Sequence, residues 1–87
     1  ITIRSLLDNT IEKVRIDAPK IYKKELVELL FEQPYSKIEF VVNNLNVERK
    51  AASRYLKELE KIGILESQKV GREILYINKE LMDILKK

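Results

Sequence analysis

Cysteine and histidine are both absent from the 87 residues. Without cysteine the chain has no disulfide and no thiol nucleophile. Without histidine it lacks the commonest zinc ligand and the commonest proton shuttle. No apolar run approaches the length of a membrane span, and no secretory signal opens the chain. The expectations are therefore a cytoplasmic protein with no membrane partner, no metal site and no cofactor. No nucleophile is paired with a base and no glycine-rich phosphate loop is present, so an enzyme in its own right is not expected. Glycine and proline are scarce, two of each, and each of the four marks a break in the chain.

What is present is an ordinary helix-rich composition, 45% hydrophobic and 36% charged, in a length that makes one domain with a modest core. Seventeen basic residues against fourteen acidic ones leave a net charge of +3. That balance permits nucleic acid as a partner without arguing for it. The chain begins on Ile1, inside a run with helical periodicity, which leads us to expect a piece of a longer protein.

The most informative stretch runs from Ser36 to Gly63. Ser36-Lys37-Ile38-Glu39 fits a capping box, with the Ser36 hydroxyl taking a first-turn N–H and Glu39 reaching back. Ile38, Val41, Val42 and Leu45 follow at the spacing of one buried helical face. Asn46 tolerates the left-handed backbone of a tight turn. A second periodic run places Ala52, Tyr55, Leu56, Leu59 and Ile62 on one side and stops at Gly63. Ala51 and Ala52 leave room for close approach to the preceding helix. The pattern is a helix-turn-helix.

Upstream, Ile3, Leu7, Ile11 and Val14 form one stripe with Leu6 beside it. Asp17, as an N-cap, and Pro19, in a first turn, place a break or sharp kink at 17–19 and a second helix over 18–32, one long helix bent at Pro19 being the alternative. Pro34 ends that helix. Downstream of Gly63 the period shortens. Two β-rich runs around Gly71-Arg72 read as a hairpin with a type II′ turn, Gly71 supplying the positive φ. Leu75 and Ile77 are expected to face the helices, with Ile74 and Tyr76 pointing away. Asn78 caps a last short helix. The expected architecture is α+β, mainly α: a winged helix-turn-helix with an N-terminal helix leading in. Helices are expected over 2–16, 18–32, 37–45, 48–62 and 79–86, and strands over 65–70 and 73–77. Residues 1–17 form a connecting or dimerisation helix and 18–87 the winged-helix domain.

Gln33-Pro34-Tyr35, Tyr55-Leu56-Lys57, Ile62-Gly63-Ile64-Leu65 and Val70-Gly71-Arg72-Glu73 make the region from Pro19 to Leu85 resemble the winged-helix region that follows the catalytic domain in many bacterial Fic-family (filamentation induced by cAMP) proteins. The resemblance implies an accessory domain of an AMP-transferase-like protein, with an upstream Fic catalytic domain as a partner in the parent chain. It carries over no catalytic residue, because the His-Pro-Phe and Gly-Asn-Gly-Arg signature of that chemistry is missing. Three positions depart from the helix-turn-helix pattern: Asn46 stands where glycine is usual, Glu48 where serine or threonine usually caps, and Ala51 where threonine is frequent. Glu48 suits a helix N-terminus, but its charge works against DNA.

In helix-turn-helix proteins the second helix enters the major groove of DNA. Arg49, Lys50, Ser53, Arg54 and Lys57 occupy its outer face here, with Lys69 and Arg72 on the wing to reach flanking phosphates. These seven are the expected contacts to double-stranded DNA. The competing reading is a solvated or protein-facing surface, in a module that regulates or dimerises the parent enzyme without touching DNA. Ser36 has no base to make it a nucleophile, so its role is the cap. Stacking of bases on tyrosine is not expected, because Tyr22 and Tyr55 fall at core positions and only Tyr35 and Tyr76 remain for the surface. Ile3, Leu6, Leu7, Ile11 and Val14 leave an apolar stripe with little domain to cover it, and a homodimer through that stripe is expected.

Overall fold

The computed structural model describes residues 2–86. The first helix, α1 (Ile3–Asp17), opens on a capping box in which Thr2 accepts from the Ser5 N–H at 3.1 Å and Ser5 accepts from the Thr2 N–H at 3.1 Å. Leu6, Thr10 and Val14 fall one turn apart and are buried. Val14 sits in the same core as Leu26, Leu30, Val41, Leu56, Leu59 and Tyr76. α1 is thus one of the walls of the domain, not a helix standing off from it. The Leu6 and Val14 side chains are 2% and 0% exposed, and each contributes roughly 1.5–3 kcal/mol by leaving water.

The second helix is shorter than the sequence indicates. The expected span of 18–32 resolves into a turn and then α2 (Lys24–Leu30). Asp17 is not an N-cap but the last residue of α1, whose C-cap is Ala18 at φ −140°, ψ 57°. The residue before a proline avoids helical geometry, and Pro19 brings no N–H to continue a ladder. Ala18 and Ile21 are instead buried, and the turn closes with Ile21 N–H donating to the Ala18 carbonyl at 3.2 Å. Burial of these two anchors replaces the helical turn.

A two-residue strand, β1 (Tyr35–Ser36), precedes α3 (Ile38–Leu45). The capping box expected at Ser36 is not formed. Lys37 occupies the N-cap position without a side-chain cap bond, while Ser36 is 2% exposed and lies opposite Tyr76. The turn to α4 (Arg49–Lys61) passes through Asn46 at φ 55°, ψ 46°, the left-handed conformation expected of it. Ala52 is wholly buried in the core. α4 ends in a Schellman arrangement: Ile64 N–H donates to the Leu59 carbonyl and Gly63 N–H to that of Glu60, both at 3.0 Å, with Gly63 at φ 88°.

β2 (Glu66–Val70) and β3 (Glu73–Ile77) form the hairpin, with the strand order β1-β3-β2, antiparallel throughout. Val70 pairs with Glu73, leaving Gly71-Arg72 as the loop. Gly71 has φ 64° and Arg72 is not among the positive-φ residues, the combination a type II′ turn requires. One face of the sheet differs from expectation. Tyr76 points into the core at 2% exposure, Ile74 on the same face is 42% exposed beyond the core's edge, and Leu75 and Ile77 are only half-buried on the other side. Tyr76 is flanked in register by Ser36 and Ser67, two small residues that leave space for its ring. Asn78 then caps α5 (Lys79–Leu85), its Oδ1 accepting from the Leu81 N–H at 3.4 Å. Among the described residues no helix is long and apolar enough to cross a membrane.

Candidate nucleic-acid interface

The surface of α4 follows from its periodicity. Ala52, Tyr55, Leu56 and Leu59 are buried, which turns Lys50, Arg54, Lys57 and Lys61 outward. These four recur at i, i+4, i+7 and i+11, a single stripe along the helix. None of the ion pairs among the described residues includes them. The four therefore present positive charge to solvent without a carboxylate partner. Like charges a turn apart repel by a few tenths of a kcal/mol per pair, so the stripe is a small cost to the isolated fold.

The acidic residues of α4 are turned aside. Glu60, half-buried, accepts from the Ser67 backbone N–H at 3.2 Å and from the Ser67 hydroxyl, which ties the base of the wing to the helix. Burial pushes the Tyr76 phenol above its ordinary value, and the Glu60 charge adds to the rise. Glu58 is half-buried on the opposite flank.

The amino-terminal end of α4 is different. Arg49 stands 3.7 Å from Glu39, and the exposed N-cap Glu48 makes no cap bond. On the neighbouring wing strand, Glu73 holds Lys37 at 2.6 Å. The Glu73 hydrogen bond, and then its charge, raise the Lys37 ammonium above its usual range. Arg72, at the wing tip, shares a shallow groove with Arg49, Glu39 and Glu73. Cations and carboxylates are nearly balanced there.

A family model described as the C-terminal domain of SoFic-like protein adenylyltransferases matches residues 6–81. The chain belongs to that family. As a SoFic-like C-terminal domain it corresponds to the accessory end of such proteins and not to their catalytic domain, in line with the Fic resemblance of its motifs. Its fold is similar to that of an ArsR-like transcriptional regulator from Rhodococcus sp. RHA1, at a TM-score of 0.56 and 25% identity, over 90% of this chain and 77% of that one. The winged-helix architecture read from the order of elements is the architecture this SoFic-like domain has.

Of the seven residues expected at a DNA interface, Lys50, Arg54 and Lys57 lie together on the exposed stripe of the SoFic-like domain's α4. Arg49 is exposed but beside Glu39, and Ser53 is half-buried. Lys69 and Arg72 are exposed on the wing, Lys69 in register with Ile74. Lys61 was missing from the expected set. It continues the spacing of Lys50, Arg54 and Lys57, and periodicity alone would have found it.

The residues expected at a dimer interface are divided. Leu6 and Val14 are inside the domain's own core, and Leu7 and Ile11 are half-buried against it. Only Ile3 is exposed, at 42%. The stripe expected to be left uncovered is covered largely by the domain itself. Tyr76, expected at the surface, is buried, whereas Tyr35 is exposed.

Proposed function

We propose that this chain is a non-catalytic winged-helix module that binds double-stranded DNA through the outer face of α4, with the wing at its side, in a protein whose catalytic part is of the Fic type. The observation that carries the reading is the stripe of Lys50, Arg54, Lys57 and Lys61, exposed and free of ion pairs among the described residues. Similarity to a protein described as a transcriptional regulator supports it. The mechanism is electrostatic: lysine and arginine neutralise phosphates and release condensed counterions. With about four or five phosphate contacts the log–log salt slope would be near −4, and the dissociation constant on the order of 10⁻⁴ to 10⁻⁶ M at physiological salt. Balanced charge at the amino-terminal end of α4, where base edges would be read, favours contact without sequence discrimination.

A titration of labelled mixed-sequence duplex, followed by anisotropy over a series of salt concentrations, tests this. Binding that fades with salt and is abolished in a Lys50→Ala/Arg54→Ala/Lys57→Ala variant of unchanged fold is the expected result. No complex at low salt sinks the reading. The competing reading is a protein-interaction and dimerisation module that regulates the catalytic domain without DNA. It is favoured by exposed Ile3, Ile16 and Leu85, at 42%, 68% and 53%. Self-association through α1 retains Ile3, Leu7 and Ile11 as its contacts, and light scattering gives its mass directly.

A further inference from the structure

We propose that the turn between α1 and α2 is a second phosphate-binding flank of this interface, opposite the wing, with Lys20 and Lys23 as its contacts. The inference rests on the duplex-binding reading above and extends it to a segment outside both the helix-turn-helix and the wing.

The exposed stripe of α4 has two sides. On one, Glu60 bonds to Ser67 and brings the wing alongside. Tyr55 and Glu58 project toward the other, and there the chain from Asp17 to Lys23 passes. The Lys23 ammonium stands 5.2 Å from the centre of the Tyr55 ring, and the Arg54 guanidinium 5.7 Å from the same centre. Lys20 lines a groove together with Arg54 and Glu58. Duplex laid along Lys50, Arg54, Lys57 and Lys61 would therefore have the wing on one side and this turn on the other.

Three features suit the turn to hold phosphate. Lys23 is held by a ring instead of a carboxylate: an aromatic face attracts an ammonium without neutralising it, so the charge remains for an incoming anion. Lys20 and Lys23 are exposed, and neither belongs to any ion pair among the described residues. The backbone carrying Lys20 is fixed at both ends by buried Ala18 and Ile21 and cross-linked by the Ile21 N–H bond to Ala18, while Lys23 is the N-cap residue of α2, its carbonyl accepting from the Leu26 N–H at 3.1 Å. Little ordering is then required on binding. Asp17 and Glu58 also line the groove. Their charge disfavours phosphate within the groove itself, so the contacts fall where Lys20 and Lys23 are exposed to solvent.

The experiment measures anisotropy of a labelled mixed-sequence duplex about two helical turns long, at several salt concentrations, against the parent chain and two variants. Lys20→Glu/Lys23→Glu removes the proposed flank. Arg4→Glu/Lys86→Glu makes the same change of net charge at exposed positions on α1 and beyond α5. The expected result is a loss of about tenfold or more in affinity at low salt for the first variant, with the salt slope reduced by about two, one for each lost phosphate contact. The second variant should change far less. A Lys20/Lys23 variant that binds like the parent, or no worse than the Arg4/Lys86 variant, overturns the flank and leaves duplex binding by α4 intact. Parent chain that binds no duplex overturns both readings. A circular-dichroism melt of each variant accompanies the titration, and Lys20→Gln/Lys23→Gln replaces the charge reversal if that variant does not fold.

Discussion

The two ends of α4 make opposite electrostatic arrangements on one helix. At its start, Arg49 faces Glu39, Glu48 stands unbonded at the cap, and Glu73 on the neighbouring strand engages Lys37. Over its later turns, Arg54, Lys57 and Lys61 meet no carboxylate within ion-pair distance among the described residues, while Glu60 is spent on Ser67. Groove-reading helices use their amino-terminal residues on base edges. Attraction to phosphate is thus concentrated away from the place where sequence would be read. On the proposed function, such a helix holds a duplex firmly enough to localise a protein on it and discriminates little between sites.

Breaking the charged end has the largest expected effect. Lys57→Glu/Lys61→Glu should weaken duplex binding about a hundredfold at low salt and reduce the salt slope by about two. Arg49→Ala should change affinity by less than about threefold, since Glu39 already screens it and an exposed pair of this kind contributes at most about 1 kcal/mol. Anisotropy titrations of the two variants side by side check the contrast. Equal losses would show that the amino-terminal turn bears as much of the load as the stripe.

The wing depends on the same helix through Glu60. Glu60→Ala leaves the Ser67 N–H and hydroxyl without their acceptor in a half-buried place, at a cost of about 1–3 kcal/mol, read from urea melts. Tyr76 adds a pH dependence. Its folded value lies above the ordinary 10.0, so its contribution to stability is complete below that pH and is lost as pH rises through the folded value. Removing Glu60 takes away the smaller of the two causes and leaves burial, so phenolate absorbance in the variant should appear at lower pH than in the parent but still above the ordinary tyrosine value. A stability unchanged by Glu60→Ala would mean that the wing is held by its strand pairing alone.

How much of this was legible in the sequence depended on whether a feature is local. The faces of α4, the left-handed Asn46 and the tight hairpin at Gly71 are set by residues within a turn or two of one another, and their patterns were sufficient. β1 was not legible. It is two residues long, its partner Tyr76 lies far along the chain, and the local Ser-x-x-Glu pattern pointed instead to a cap. For α1, periodicity centred the apolar stripe on Ile3, Leu7, Ile11 and Val14 with Leu6 beside it, whereas the buried line is Leu6, Thr10 and Val14 and Ile3 is exposed; it carried no information about what covers the helix, which is the domain itself. The start of α2 was misplaced because Asp17 and Pro19 fit a helix start by local pattern, whereas Asp17 ends α1 and buried Ala18 and Ile21 hold a turn before α2 begins at Lys24. At the candidate site, the outer face of α4 followed from spacing, whereas the approach of Lys23 to Tyr55 follows only from the packed turn.

The turn before α4 offers a smaller test of how its amino-terminal end is held. Asn46 adopts φ 55°, which costs a non-glycine residue roughly 1 kcal/mol. Asn46→Gly should be neutral or slightly stabilising, and Asn46→Val destabilising by about 1–2 kcal/mol, because a β-branched side chain tolerates this region least. If all three proteins melt alike in urea, the turn is not fixing the entry to α4.

The smallest expected effect addresses the weak end itself. Glu48 sits at the N-cap of α4, exposed, with no side-chain bond to the first turn. Its charge suits the positive end of the helix dipole, an effect of some 0.3–1 kcal/mol at an exposed site. A serine there would supply the missing cap bond, with a comparable gain of about 1 kcal/mol. Glu48→Ser should therefore leave stability nearly unchanged, because the lost dipole interaction and the gained cap offset each other. Duplex binding should respond differently, since the same substitution removes a negative charge from the end of α4 that faces the groove in the proposed mode. A few-fold tightening at low salt is expected, fading at high salt because charges separated by more than a Debye length are screened. If the affinity stays at the parent value while stability is also unchanged, Glu48 does not face the duplex. The helix would then have to lie on DNA by its later turns alone, with the amino-terminal turn lifted clear of the groove.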